Sequence, residues 1–199
     1  MVFKEGAPWY TAAIPAGGMQ VTNDISIMLS VLMDSAERLK REASSCWLES
    51  VDADELIVVP GIGGREPTEI PRRKLCAIVQ PRMEEIFLMA KEKLEKAGWL
   101  KEIKAGVVLT GGASLMAGAS ELAQSVFGMP VHLGSPPVIG GLESEYRNPG
   151  FATAVGLVLL EADARIAADP SRVQQASRKD KKNASSLGKV LGWIKDKFI

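Results

Sequence analysis

The chain has 199 residues, 46% of them apolar, and its 24 Lys and Arg balance 24 Asp and Glu; this composition supports a sizeable buried core and excludes a disordered or fibrous polypeptide. With no net charge there is no global basic field to gather nucleic acid. Cys46 and Cys76 have no CxxC partner and no nearby histidine, so neither a disulfide framework nor a metal site is expected, and both read as reduced thiols of a cytoplasmic protein.

Met1 to Gly6 lacks the apolar stretch of a signal peptide, and no run approaches the roughly 18 apolar residues of a membrane span. The expected protein neither crosses a membrane nor leaves the cell. Val2-Phe3 before Glu5-Gly6 reads as the end of a strand entering a hairpin turn. Trp9 to Ile14, between Gly6-Ala7-Pro8 and Pro15-Ala16-Gly17-Gly18, reads as the next strand. Thr22 or Asn23 is placed to cap a helix whose apolar Ile25, Met28, Leu29 and Leu32 follow the helical period, and Asp34 or Ser35 to cap a shorter one. In that second helix Glu37 and Lys40 lie three apart on one face, the spacing of an ordinary solvated ion pair.

Glu55 to Pro60 reads as a short strand followed by the turn Gly61-Ile62-Gly63-Gly64, which lacks the Lys-Ser/Thr ending and the strand-to-helix setting of a phosphate loop. Leu75, Ile78, Val79, Ile86, Met89, Ala90 and Leu94 mark a long amphipathic helix, which Pro81 is expected to bend and Gly98 to end. Ala105 to Thr110 is nearly all apolar, as in a strand buried on both faces of a sheet, and runs into Gly111-Gly112-Ala113-Ser114. A helix from about Gly118 to Phe127 follows. Strand, glycine turn and helix N-terminus let a ligand approach the backbone closely, and the same spacing serves equally as a tight turn without one.

Val131-His132-Leu133 is another short strand, and His132, the only histidine, has no nucleophile partner in view and reads as structural. Asn148-Pro149 introduces a helix from Phe151 to Arg165. From Arg165 onward positive charges outnumber negative ones, and residues 169–186 have the composition of a flexible basic linker. In residues 187–199, Leu187, Val190, Leu191, Ile194 and Phe198 fall on one helical face, with Lys189, Lys195 and Lys197 at its flanks and Trp193 at its edge. Such a helix can dock on the protein's own core, on a partner or on an anionic membrane surface. The flanking lysines, edge tryptophan and basic linker favour the membrane.

Val107 to Ala113, with Val126 to Val131 and Asn148 to Leu157, resembles FtsA, the bacterial actin-like family of cell division proteins. Ile14 to Gly18, Val21 to Ile25, Ala36 to Lys40 and Val59 to Arg65 agree in order. The resemblance implies an α/β fold: the second lobe of the actin-like ATPase (ribonuclease H-like) fold. Its core subdomain would be built from residues 1–18 and 103–168, with a smaller α+β subdomain inserted at 19–102 and a C-terminal amphipathic helix. It implies ATP and Mg as the family's cofactors, Gly111, Gly112 and Ala113 against adenosine, and Glu37 and Lys40 near the sugar and base. It further implies that Lys74 and Arg82 meet the acidic C-terminal peptide of FtsZ, the tubulin-like ring protein. The chain would tether the FtsZ ring to the cytoplasmic face of the cell membrane at the division site, associate with itself and help recruit other division proteins.

ATP hydrolysis by this chain alone is not expected. The family's Asp-containing phosphate turn, which precedes the segment opening here as Val2-Phe3-Lys4, and its first phosphate loop are missing, and no residue is assigned a catalytic or metal-binding role. Met19-Gln20 replaces an acidic or amide residue and a histidine, and Ala117 a usual proline; these are departures on the nucleotide side. Two other functions compete: an ATPase half completed by an upstream fragment, and another actin-like filament protein of cell shape or pilus assembly.

Overall fold

The computed structural model describes residues 1–168; the linker expected at 169–186 and the amphipathic helix expected at 187–199 lie outside the described residues. In chain order the elements are β1 (Val2–Lys4), β2 (Ala7–Tyr10), α1 (Gly18–Leu29), α2 (Met33–Glu42), β3 (Leu56–Val59), β4 (Thr68–Pro71), α3 (Arg72–Lys96), β5 (Val107–Leu109), α4 (Ala119–Phe127), β6 (Val131–Leu133) and α5 (Ala152–Ala168). Short 3-10 turns lie at Leu48–Ser50, Gly112–Leu115, Ser144–Arg147 and Pro149–Phe151. The chain divides into two units, Met1–Ala152 and a second beginning at Thr153. In the second, Leu157, Val158 and Leu160 of α5 are exposed.

The described strands pair two by two. β1 and β2 are antiparallel and joined by Glu5 and Gly6, both at positive φ (53° and 79°), the type I′ conformation whose twist matches that of its strands. β2 stops at Tyr10 instead of running on to Ile14. The reason is that β1 offers partners only from Val2 to Lys4, and a strand is held as far as its neighbour extends. β3 and β4 are antiparallel, with Leu56 opposite Pro71 and Val59 opposite Thr68; β4, four residues ending in proline, carries too little pattern to be read in advance. β5 and β6 are parallel, Val107 facing Val131 and Leu109 facing Leu133, with α4 as the crossover that parallel strands require. The expectation that β5 is buried on both faces is not met: Val108 is 66% exposed, because among the described residues β6 alone pairs with β5 and nothing covers that face.

Helix starts differ from those expected. α1 begins at Gly18, upstream of Thr22. Gln20 Oε1 accepts from the Gly17 N–H (2.8 Å) while the Gly17 carbonyl accepts from the Gln20 N–H (3.1 Å), a reciprocal closure of the first turn. That frees Thr22 for another use inside the helix. α1 ends where Ser30 turns left-handed (φ 52°), and Met28 and Leu32 are exposed rather than in the core. α2 follows an extended Leu32, so Asp34 sits in its first turn, where a carboxylate suits the helix dipole, instead of capping it. α3 runs as one helix with Pro81 inside it. Ahead of α5, the Asn148 side chain accepts from the Gly150 N–H (2.8 Å) and caps the 3-10 turn that delays the helix to Ala152.

Val21, Ile25, Ala36 and Leu39 from α1 and α2, Leu75, Val79, Met83 and Phe87 from α3, and Ala119, Leu122, Ala123 and Phe127 from α4 form one hydrophobic core. The four-residue spacing on α1 and α3 puts each set on a single helical face. Cys46 and Cys76 are buried free thiols, and burial pushes Cys46 up to about 12, which removes thiolate at neutral pH.

The segment before α4 is fastened to the loop after α2. The Ala117 carbonyl accepts from the Cys46 N–H (2.7 Å), and Gly118, at φ 75°, lies so near Trp47 that an added Cβ would stand 2.5 Å from the Trp47 Cβ. Gly128 has a similar φ of 69° with nothing within 4 Å. Gly128→Ala is therefore expected to cost about 1–2 kcal/mol of conformational strain, and Gly118→Ala a further ~1–3 kcal/mol from the clash. Urea unfolding of the two variants measures the difference; equal losses would show that the close approach to Trp47 contributes nothing.

Candidate functional site

Lys40 is buried on α2, where a charged amine must be satisfied by the protein itself. Its Nζ donates to Glu37 Oε2 (2.5 Å), Thr22 Oγ1 (2.8 Å) and the Gly18 carbonyl (3.2 Å), which engages all three of its protons. The ordinary solvated pair suggested by the spacing thus becomes a buried anchor between α2 and the start of α1. Thr22 Oγ1 also lies 2.5 Å from Glu37 Oε2 and 3.1 Å from the Gly18 carbonyl. Glu37 keeps its other oxygen, Oε1, without a partner among the described residues, on a side chain 41% exposed. Burial pushes the Glu37 carboxyl up, but the hydrogen bonds from Lys40 and Thr22 and the charges of Lys40 and Arg41 outweigh it and hold the group below the usual carboxylate range.

The glycine turn lies beside this anchor. Gly111, at φ 91°, leaves β5 in a conformation few side chains allow; its N–H donates to the Pro149 carbonyl (3.1 Å), and its carbonyl accepts from the Ser114 N–H (3.1 Å) and Oγ (2.7 Å). A Cβ built on Gly18 would lie 3.4 Å from the Ala113 Cβ and 3.6 Å from Lys40 Nζ, and one on Gly150 would lie 3.8 Å from the Gly112 Cα. The structure therefore sets both Ala113 and Lys40 Nζ beside Gly18, and Gly111 and Gly112 against Pro149 and Gly150. At Gly111 and Gly112 an added Cβ would meet nothing within 4 Å. The site thus joins open space over bare backbone to an acceptor, Glu37 Oε1, suited to hydroxyl donors such as a sugar's, and so fits the adenosine end of a nucleotide. For Mg the described residues hold no cluster of three or more His, Cys, Asp or Glu able to ligate it.

The two cations expected at the peptide site both stand on α3 but in different settings. Lys74, in the first turn, is exposed. Arg82 is already occupied: Nε lies 2.5 Å from Asp24 Oδ2, Nη2 lies 3.3 Å from Asp24 Oδ1, and Nη1 donates to Glu85. Of the residues assigned to a membrane surface, Leu187, Lys189, Val190, Leu191, Trp193, Ile194, Lys195, Lys197 and Phe198 all fall outside the described residues, and no described helix is long and apolar enough to span a membrane. Thr22 entered the sequence expectation only as a possible helix cap, not as a partner of Glu37 and Lys40. A threonine on an apolar helix face, facing a lysine one helix away, was the available signal.

Residues 1–156 match the family model of the cell division protein FtsA. Cell division protein FtsA of Pseudomonas aeruginosa is 38% identical over 198 residues, 99% of this chain and 48% of the relative. That of Neisseria meningitidis serogroup B is 35% identical, again covering 99% of this chain and 48% of the relative. The chain spans about half the length of the curated relatives it matches. Among solved structures, MreB5 of Spiroplasma citri bound to ADP superposes with a TM-score of 0.54 at 17% identity, covering 78% of this chain and 47% of that one.

Removing the amine in Lys40→Met takes a shared donor from Thr22, Glu37 and the Gly18 carbonyl and is expected to cost about 1–3 kcal/mol at neutral pH by urea unfolding. The Glu37 carboxyl is depressed on folding, so its contribution is complete above the ordinary carboxylate pKa and is lost as pH falls through the lower folded value. Stability should therefore fall more steeply on acidification in the parent than in Glu37→Gln, and the gap between them should narrow. Parallel pH curves for the two would refute the assignment.

Proposed function

The chain belongs to the FtsA family of cell division proteins and carries an actin-like α/β fold, and on that premise we propose that it tethers the FtsZ ring to the cytoplasmic face of the cell membrane at the division site. The inserted subdomain at 19–102 takes the acidic C-terminal peptide of FtsZ, and residues 187–199 lie in the headgroups.

The observation that supports the peptide half is electrostatic. A helix N-terminus carries the positive end of the dipole and favours carboxylates, yet the first turn of α3 holds Arg72, Arg73 and Lys74 and no acidic residue. Among the described residues only Arg72 of these is paired, with Glu55 at 2.7 Å. Positive charge on a positive pole is unfavourable for the free protein and is relieved by an anionic partner. For the membrane half the support lies in the sequence alone: an apolar face flanked by Lys189, Lys195 and Lys197 with Trp193 at its edge. One such helix binds reversibly and modestly, so firm attachment calls for several linked copies, as self-association would supply. Sedimentation with anionic vesicles tests both halves at once. The chain should carry FtsZ down with the vesicles; Lys74→Glu should leave the chain on the vesicles with FtsZ in solution; and Trp193→Asp with Phe198→Asp should release both. FtsZ that pellets equally with the Lys74 variant would remove the peptide assignment.

A second reading, a nucleotide-binding half that works with the remainder of an FtsA chain, is favoured by the open space at Gly111 and Gly112 beside Glu37 Oε1. The MreB5 structure was solved with ADP. ATP would be held here by its adenosine end, and the phosphate chemistry belongs to groups outside the described residues. Gly112→Ala meets no neighbour within 4 Å and Gly112 has an ordinary φ, so the variant should unfold like the parent while weakening binding of a fluorescent adenine nucleotide at least fivefold in the presence of the N-terminal half of a relative. Undiminished binding would rule out close approach at this turn.

A further inference from the structure

Gly111 and Gly112 carry no side chains with which to hold their own conformation, and at φ 91° Gly111 sits where few other residues could. Apart from Ser114 within the turn, their support comes from the segment just ahead of α5. The Pro149 carbonyl accepts from the Gly111 N–H (3.1 Å), and a Cβ added to Gly150 would stand 3.8 Å from the Gly112 Cα. An added Cβ on Gly112 itself would meet nothing within 4 Å, so this glycine is backed on one side and open on the other.

One side chain sets that segment. Asn148 Oδ1 accepts from the Gly150 N–H (2.8 Å), and the Asn148 carbonyl accepts from the Phe151 N–H (2.9 Å), which closes the 3-10 turn Pro149–Phe151. A single turn of this kind is too short to be stable by its own backbone bonds. Pro149, its φ fixed by the ring, is buried. The rings of Tyr146 and Phe151, on either side of Asn148 in sequence, meet edge to face with centroids 5.2 Å apart. Support therefore runs in two short series, from Asn148 through Gly150 to Gly112 and from Asn148 through Pro149 to Gly111. Asn148 is exposed and lies outside the hydrophobic core, so its amide acts on the turn rather than on the interior.

Resting on the nucleotide-binding reading, we infer that Asn148 is a positioning residue for the adenosine end of a nucleotide. It does not touch the ligand. Through Pro149 and Gly150 it keeps Gly111 and Gly112 in the shape that the ligand meets, so that binding does not have to order the turn.

The test pairs a titration of the full chain, in the presence of the N-terminal half of a relative, with a fluorescent adenine nucleotide and amide exchange followed by NMR without ligand. Asn148→Ala should weaken binding about fivefold or more, the scale of a lost cap. It should also speed exchange of the Gly111 amide about tenfold through local opening, while the Leu39 amide in α2 exchanges as in the parent. A side chain that merely stabilised the fold at large would speed Leu39 as well. Asn148→Asp keeps an acceptor for the Gly150 N–H and should stay within about twofold of the parent in both measurements. An alanine variant that binds like the parent, while Gly112→Ala binds weakly, would overturn the role given to Asn148 and leave the nucleotide reading in place. Unchanged exchange at Gly111 would overturn it too, since the turn would then not depend on this side chain. A parent chain that binds no adenine nucleotide would end both the nucleotide reading and this one. Should the alanine variant fail to fold, Asn148→Gln, whose amide is set one methylene too far out to cap the turn, decides in its place.

Discussion

An ammonium ion held away from water has to replace its whole hydration shell with protein acceptors, and the three found by Lys40 set the geometry around them. One belongs to the first turn of α1, one to a side chain a turn further along, and one to α2 itself. Losing any of them would leave charge exposed to an apolar surround, which is far more costly than a broken surface pair. Two consequences follow for the chain's upper edge. The Gly18 backbone lies so near Ala113 that an added Cβ would stand 3.4 Å from the Ala113 Cβ, so the glycine turn is backed by a fixed wall. The Glu37 carboxylate is held by one oxygen, which leaves the other without a partner among the described residues.

α3 plays the complementary part. One face, at four-residue spacing, supplies Leu75, Val79, Met83 and Phe87 to the core, while its flanks carry charge. At its start Arg73 and Lys74 have no ion-pair partner among the described residues, and at its middle Arg82 is neutralised by Asp24 and Glu85. The same residue type therefore does different work two turns apart: where positive charge has internal partners it fastens helices together, and where it has none it is available to something outside.

How much of this could be read in advance depends on range. Local rules worked where the determinants are neighbours in sequence. Glu5-Gly6 specified a hairpin, the apolar spacing from Leu75 to Leu94 specified a long helix, and Gly111-Gly112 marked a turn between strand and helix. They failed where a distant or unexpected group decides. The start of α1 depends on Gln20 folding back on Gly17, which competes with and beats Thr22 as a cap, and the length of β2 depends on how far β1 extends. For the site, the motif residues themselves were visible in the sequence, and the fold sets Ala113 and Lys40 on either side of Gly18. The part played by Thr22 was not visible, because it arises from Glu37 and Lys40 being brought near by the fold. Nor could spacing alone reveal that Arg82 is engaged by Asp24, 58 positions away.

The two thiols bring an unplanned convenience. Cys46 and Cys76 lie wholly inside the packed interior, the first beside the strap that joins Ala117 to the loop after α2 and the second on α3, with its sulfur accepting from the Ser45 N–H (3.2 Å). An alkylating reagent can reach them only when those elements part. Their rate of modification in native buffer is thus a clock for transient opening of the interior, set by the free energy of that opening and needing no probe engineered into the chain.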